Sequence, residues 1–198
     1  MERTLIKNIK LGEVNKICGF VENCRNKKSM AFIVIRDTSG KLQITIEKEK
    51  HPEMVDDIAK ITIDSVVEFV GPVVASEYVK LNGMEMYPDS LKIESIAAPS
   101  PIVAPKGEET NIDLRLDYRW IDLRTEKNNL MFKTQSYFVA KLREFLVERE
   151  FVEIHTPKLI GAESESGAGV FEVGYFDGKA YLAHSPQFYK LMAMSSGL

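Results

Sequence analysis

Cysteine and long apolar runs are both scarce in this chain, and each shortage removes a class of protein. Of 198 residues only Cys18 and Cys24 are cysteine. They lack CxxC spacing and have no histidine near them, so neither a zinc site nor a disulfide framework is indicated. No stretch reaches the ~20 apolar residues of a membrane span, and Met1-Glu-Arg-Thr-Leu5 opens without the apolar core of a secretory signal. The expected setting is the cytoplasm, with no membrane partner. Positive charge is not in excess either: 26 Lys and Arg face 29 Asp and Glu, for a net charge of −3. Any contact with a polyanion must then rest on local patches and shape. The three histidines, His51, His155 and His184, are scattered, and no metal site is expected.

What is present suffices for one large or two small cored domains, at 44% hydrophobic and 28% charged residues. Residues 14 to 47 alternate in the strand manner through Ile17 to Val21, Met30 to Ile35 and Leu42 to Ile46, with turns at Asn26 to Ser29 and Asp37 to Gly40. His51 to Lys60 has helical composition. Ser65 to Ser76 reads as a fourth strand carrying Gly71-Pro72, and Ser90 to Ala97 as the strand that closes the series. Five short strands with a helix before the fourth is the element order of an OB-fold barrel. Pro99, Pro101 and Pro105 then read as a stiff polar linker. The expected division is residues 1–98 for the barrel, 99–125 for a hinge and 126–198 for a second domain.

In that second domain, Asn128 to Arg149 places Met131, Phe132, Phe138, Val139, Leu142, Phe145 and Leu146 at helical spacing, which predicts a long amphipathic helix with this face buried. Strands are predicted over Phe151 to Ile154, Val170 to Tyr175 and Ala180 to Ala183, the last two joined by the turn dipeptide Asp177-Gly178. Between them, Glu163 to Gly169 is acidic and rich in small residues. In Ser185-Pro-Gln-Phe-Tyr-Lys190, a helix starting at Pro186 would put Gln187 and Lys190 on one face.

The ordered set, Phe151 to Leu159, then Ser164-Glu-Ser-Gly167, then Ser185 to Lys190, resembles the class II aminoacyl-tRNA synthetases, and within them the aspartyl-tRNA synthetases of the archaeal and eukaryotic type. These segments are similar to that family's motif 1, its substrate-covering loop and its aspartate-recognition turn. The resemblance implies an α+β chain: an anticodon-binding OB barrel, then the first part of an antiparallel-sheet catalytic domain. It implies tRNA and aspartate as partners, ATP and Mg2+ as cofactors of the full-length enzyme, and a homodimer in which Pro157 lies at the interface. Lys190 would be the cation for the substrate side chain. Gln187 and Ser164 would hold the amino group and the closing loop, and Glu165 would move in as a lid.

In the barrel, Phe32 and Gln43 stand eleven residues apart across a turn, a separation that brings adjacent antiparallel strands face to face. The resemblance assigns Phe32 to stack and Gln43 to read anticodon bases, with Arg25 and Asp64 as further contacts. Glu22 stands where members that reject asparagine tRNA carry a bulky aromatic, which implies a non-discriminating enzyme. No arginine follows Arg149, so the family's motif 2 and motif 3 cations are absent, no catalytic residue is assigned, and this chain alone is expected to be inactive. Two readings stay open: part of an aspartate–tRNA ligase, or a non-catalytic module that binds tRNA or single-stranded nucleic acid.

Overall fold

Successive side chains of a strand point to opposite faces, and in the computed structural model of the protein the N-terminal strands turn one such face inward. The structure describes residues 1–102, 110–162 and 169–198, which fall into two compact units, Met1–Asn128 and Asn129–Leu198.

In the first unit, β1 (Val14–Asn26), β2 (Met30–Arg36) and β3 (Lys41–Glu47) form an antiparallel meander. Helix α1 (Val55–Lys60) leads to β4 (Val66–Ala75), β5 (Met84–Met86) and β6 (Ser90–Ser95). β4 returns antiparallel to β1. β5 runs parallel to β3 through Gln43↔Glu85 and Ile44↔Met86 and antiparallel to β4, while β6 continues along the same edge of β4. β5 and β6 are therefore two halves of one closing strand, and the ring β1-β2-β3-β5-β4-β1 is a closed five-stranded OB-fold barrel.

Ser90 to Ala97 was the expected closing strand, but the contact with β3 is made by Met84–Met86. The break between the halves falls at Tyr87-Pro88-Asp89, where proline has no N–H to give the ladder. Gly71 is required beside it: a Cβ there would lie 2.4 Å from the Tyr87 carbonyl oxygen and 2.7 Å from the Pro88 Cα. The barrel interior is filled by alternate residues such as Ile17, Ile33, Ile35, Ile44, Val67 and Phe69, all fully buried.

The stretch expected to be a plain linker is partly helical. α2 (Ile112–Asp117) and α3 (Arg119–Asp122) lie within it. Their organising group is the fully buried Asp122 carboxylate, which accepts from Arg115 Nε at 2.7 Å and pairs with Arg119. Burial pushes this carboxyl up, but the two guanidiniums hold it below the ordinary carboxylate value. A helix organised by a buried ion pair leaves no apolar periodicity to read, which is why the prolines dominated the expectation. The same stretch is tied to the barrel by Arg124, whose Nη1 is 3.3 Å from Asp64, and by Glu126, which pairs with Lys41.

Helix α4 (Glu126–Val147) begins and ends two residues before the predicted Asn128 to Arg149, and its apolar stripe is not buried: Phe138 is 64% exposed, and Met131, Phe132, Leu142 and Phe145 are exposed as well. The helix ends with Glu150 in the left-handed region, φ 62°, and the Phe151 N–H donates to the Leu146 carbonyl at 3.1 Å. β7 (Leu159–Ile160), β8 (Glu172–Tyr175) and β9 (Gly178–Leu182) form an antiparallel sheet in the order β7-β9-β8, and α5 (Gln187–Ser195) follows. The strand predicted over Phe151 to Ile154 does not form, because no described residue offers that segment a ladder partner; the first pair is Leu159↔Leu182. The β8–β9 hairpin is present, with Tyr175 paired to Gly178, so its loop residues are Phe176 and Asp177 rather than Asp177-Gly178. Among the described residues no helix is long and apolar enough to cross a membrane.

Candidate nucleic-acid interface

The outward faces of β2 and β3 carry what the core does not need. Along β2 the fully buried Ala31 and Ile33 flank Phe32, whose ring is left at the surface and only partly covered. Register sets Phe32 opposite Thr45, and Gln43 opposite Val34. Phe32 and Gln43 are thus diagonal neighbours on one face, within reach of long side chains at about 7–8 Å, rather than directly opposed. Arg25 belongs to β1 and is registered directly against Phe32. Its Cζ lies 5.5 Å from the Phe32 ring centroid, with Lys27 Nζ at 6.0 Å, both near the ~6 Å limit for cation–π attraction.

These residues line a cleft of about 390 Å³ together with Lys27, Met30, Thr45, Tyr78, Val79, Glu85 and Tyr87. Among the lining residues is an acidic group that the sequence reading missed. Glu85 is only 8% exposed. Its carboxylate accepts from Thr45 Oγ1 at 2.5 Å and from Tyr87 OH at 3.3 Å, and Gln43 Nε2 in turn donates to Thr45 Oγ1 at 3.3 Å. Burial pushes the Glu85 carboxyl up, but donors from Thr45, Ser76, Tyr87 and Gln43 outweigh it and hold it below the ordinary value. The group is ionised at neutral pH. A usable signal was present: Asn82-Gly83 ahead of Met-Glu-Met86 is a turn dipeptide followed by an apolar–polar–apolar strand.

The arrangement brings together an aromatic face, an amide that both donates and accepts, a buried carboxylate acceptor, and a rim of two cations. Chemically, such a set has the groups needed to stack an unpaired base, read its edge and hold its phosphate.

Asp64 lies elsewhere. It adopts φ 66° and pairs with Arg36 at 2.8 Å and Arg124 at 3.3 Å, both guanidiniums lying against the Phe20 ring. With its carboxylate committed to two arginines outside the cleft, Asp64 is a tie between barrel and helices rather than a member of this constellation. Glu22 is also outside the cleft, on a β1 bulge, held by Lys41 at 2.6 Å.

In the second unit α5 starts at Gln187, so Gln187 and Lys190 stand one turn apart, and both are exposed. Neither side chain has a hydrogen bond or ion pair among the described residues. Ser164 and Glu165 lie outside the described residues. Pro157 is exposed, in the segment after α4 that Arg143 and Glu153 hold by a forked pair at 3.1 and 3.0 Å.

Known proteins share this layout. A model of the OB-fold nucleic acid binding domain of the tRNA anticodon type matches residues 16–94, and one of the class II tRNA synthetases (D, K and N) matches residues 111–198. An aspartate–tRNA(Asp/Asn) ligase of Methanopyrus kandleri is 38% identical over 188 residues, 94% of this chain and 43% of the relative. An aspartate–tRNA(Asp) ligase of Picrophilus torridus is 38% identical over 183 residues, 92% and 43%. Among solved structures, the asparaginyl-tRNA synthetase of Pyrococcus horikoshii with asparaginyl-adenylate superposes with a TM-score of 0.90 at 28% identity, covering 98% of this chain and 45% of that one. The aspartyl-tRNA synthetase of Entamoeba histolytica gives 0.76 at 29% identity, covering 99% and 43%. The chain thus spans less than half the length of these relatives.

Proposed function

From the premise that this chain belongs to the class II (D, K and N) tRNA synthetases, we propose that it is part of an aspartate–tRNA ligase in which the barrel reads the anticodon. The observation that carries the reading is the cleft, where Phe32, Gln43, Arg25 and the ionised Glu85 converge. Phe32 stacks one anticodon base; Gln43 and Glu85 meet hydrogen-bonding base edges; Arg25 and Lys27 take the backbone. Glu85 replaces Asp64 as the acidic reader, because it faces the cleft and Asp64 does not. Aspartate, rather than asparagine, is favoured by the 38% identity to two aspartate–tRNA ligases.

In the second unit Gln187 and Lys190 are the contacts for free aspartate: the amide meets the amino group and the ammonium meets the side-chain carboxylate. The exposed stripe of α4 and the segment through Pro157 form the homodimer contact. No ATP–Mg2+ site is assigned to the described residues. No arginine follows Arg149, and no cluster of three or more potential metal ligands occurs among the described residues. No chemical step is therefore assigned to this chain.

The test is filter binding of aspartate tRNA transcripts with single substitutions. Changes in the anticodon should weaken binding, and changes elsewhere in that loop's stem should not. Equal losses from both would remove the anticodon reading. An asparagine tRNA in the same titration scores discrimination: affinity within about threefold of the aspartate tRNA, about 0.65 kcal/mol, marks a non-discriminating barrel.

A further inference from the structure

The loop between β4 and β5 holds an aromatic that the barrel does not use. Its ends are closed by the Ser76 N–H donating to Gly83 O at 2.8 Å, and the Gly83 N–H donates to Val79 O at 3.0 Å. Val79 is the anchor, with its side chain 6% exposed, whereas Tyr78 immediately before it is 95% exposed. A loop fixed by its backbone and by one buried valine does not need a large apolar ring held in water next door. Yet Tyr78 lines the same cleft as Phe32, Arg25 and Gln43. An exposed tyrosine at the rim of a binding cleft is a ring that becomes covered when the ligand arrives, with its hydroxyl left wet.

We infer that Tyr78 is a second stacking platform, taking the base of the nucleotide next to the one on Phe32, so that the cleft holds two consecutive unstacked nucleotides. The inference rests on the anticodon reading above and deepens it. Phe32 is fixed in a strand at the wall of the barrel, whereas Tyr78 stands on a loop, so it accepts a neighbouring base without a fixed edge contact. Stacking through a π-face is tolerant of base identity, so Tyr78 adds affinity and register while Gln43 and Glu85 discriminate.

The experiment uses the whole chain and an RNA hairpin carrying the aspartate anticodon loop, with 2-aminopurine placed at each loop position in turn. Tyr78→Ala should weaken binding about 5- to 150-fold, the usual worth of one base stack. It should change 2-aminopurine fluorescence at a loop position adjacent to the one affected by Phe32→Ala. Tyr78→Phe should bind within about twofold of the parent, because the ring and not the hydroxyl is used, and neither variant should shift the melting midpoint. Parent-like affinity in Tyr78→Ala, an effect at the same nucleotide as Phe32→Ala, or a loss accompanied by a lower melting midpoint would each overturn the second platform. If Phe32→Ala loses affinity and Tyr78→Ala does not, only the second platform falls. If the parent protein fails to bind the hairpin, the anticodon reading falls and this inference with it.

Discussion

Replacing Phe32 by alanine removes the ring proposed to stack the first base, and its setting on the barrel surface gives the expected size of the effect and its confinement to binding. A base stacked on an aromatic contributes about 1–3 kcal/mol. In the free protein the same ring attracts Arg25 at 5.5 Å and Lys27 at 6.0 Å, contacts of about 0.5–1 kcal/mol at an exposed site. A base arriving on that face displaces at least one of them, so from a central stack of about 2 kcal/mol the net loss is about 1–1.5 kcal/mol, or 5- to 12-fold in Kd. Fluorescence anisotropy of an aspartate anticodon hairpin at fixed salt measures it. Phe32→Ala should leave the slope of affinity against salt unchanged, because no phosphate contact is removed, whereas Arg25→Gln should reduce it. The fold should tolerate the change, since the inward residues Ala31 and Ile33 are untouched. Ile33→Ala is the contrasting variant and should lose about 2–5 kcal/mol of stability. A Phe32→Ala protein that binds the hairpin as the parent does would refute the stacking argument; one that loses as much stability as Ile33→Ala would show the ring to be core.

The remaining predictions concern the frame of the cleft. Gly71→Ala places a Cβ within 3.0 Å of three backbone atoms of Tyr87, Pro88 and Asp89, so the closing strand must move; a stability loss of about 1–3 kcal/mol together with weaker RNA binding is expected, and a parent-like denaturation midpoint would contradict the close approach. Asp64→Asn keeps a residue type that tolerates the left-handed backbone but unpairs Arg36 and Arg124; chemical denaturation should show a loss of about 1.5–3 kcal/mol with RNA affinity within twofold, and weaker binding without lost stability would return Asp64 to the base-reading set. Asp37, Glu85 and Asp122 are all held below ordinary carboxyl values in the folded protein although burial pushes each the other way. The stability they contribute is complete above their unfolded values, about pH 4, and is lost as pH falls through the lower folded values. The denaturant midpoint should be level from about pH 7 to 5 and fall below about pH 4; a midpoint that rises on acidification would contradict these assignments.

Much of the barrel was legible because period-two alternation marks Ile17 to Val21, Met30 to Ile35 and Leu42 to Ile46 in turn, and each strand of the meander pairs with its neighbour in sequence. The closing strand was read only in its second half. Met84–Met86 is three residues long, stops at a proline break, and takes its place through a parallel pairing with β3 that no local pattern announces. That same omission hid Glu85, whose value lies in pointing at Thr45 from forty residues away. Phe32, Gln43 and Arg25 were accessible because they sit on the meander's outward face. Asp64 lies outside the cleft, paired with Arg36 and Arg124, and an isolated acid carries no mark of such partners in the sequence. In the second unit the periodicity gave α4 its length but not its burial: an apolar stripe calls for a covering surface without saying whether the described residues contain it, and here it stays exposed. The strand expected at Phe151 to Ile154 failed for a related reason, since strand formation depends on a partner and its composition records only suitability.

The central claim is that unpaired bases enter the cleft on the outer face of β2 and β3. Backbone-amide NMR of the chain titrated with a short single-stranded RNA of the aspartate anticodon loop sequence tests it directly. The largest shift changes are expected at Arg25, Phe32, Gln43 and Glu85, with the Lys16–Glu68 pair on the β1–β4 side unmoved. Changes centred on that opposite side, or none at the cleft under saturating RNA, would contradict the account.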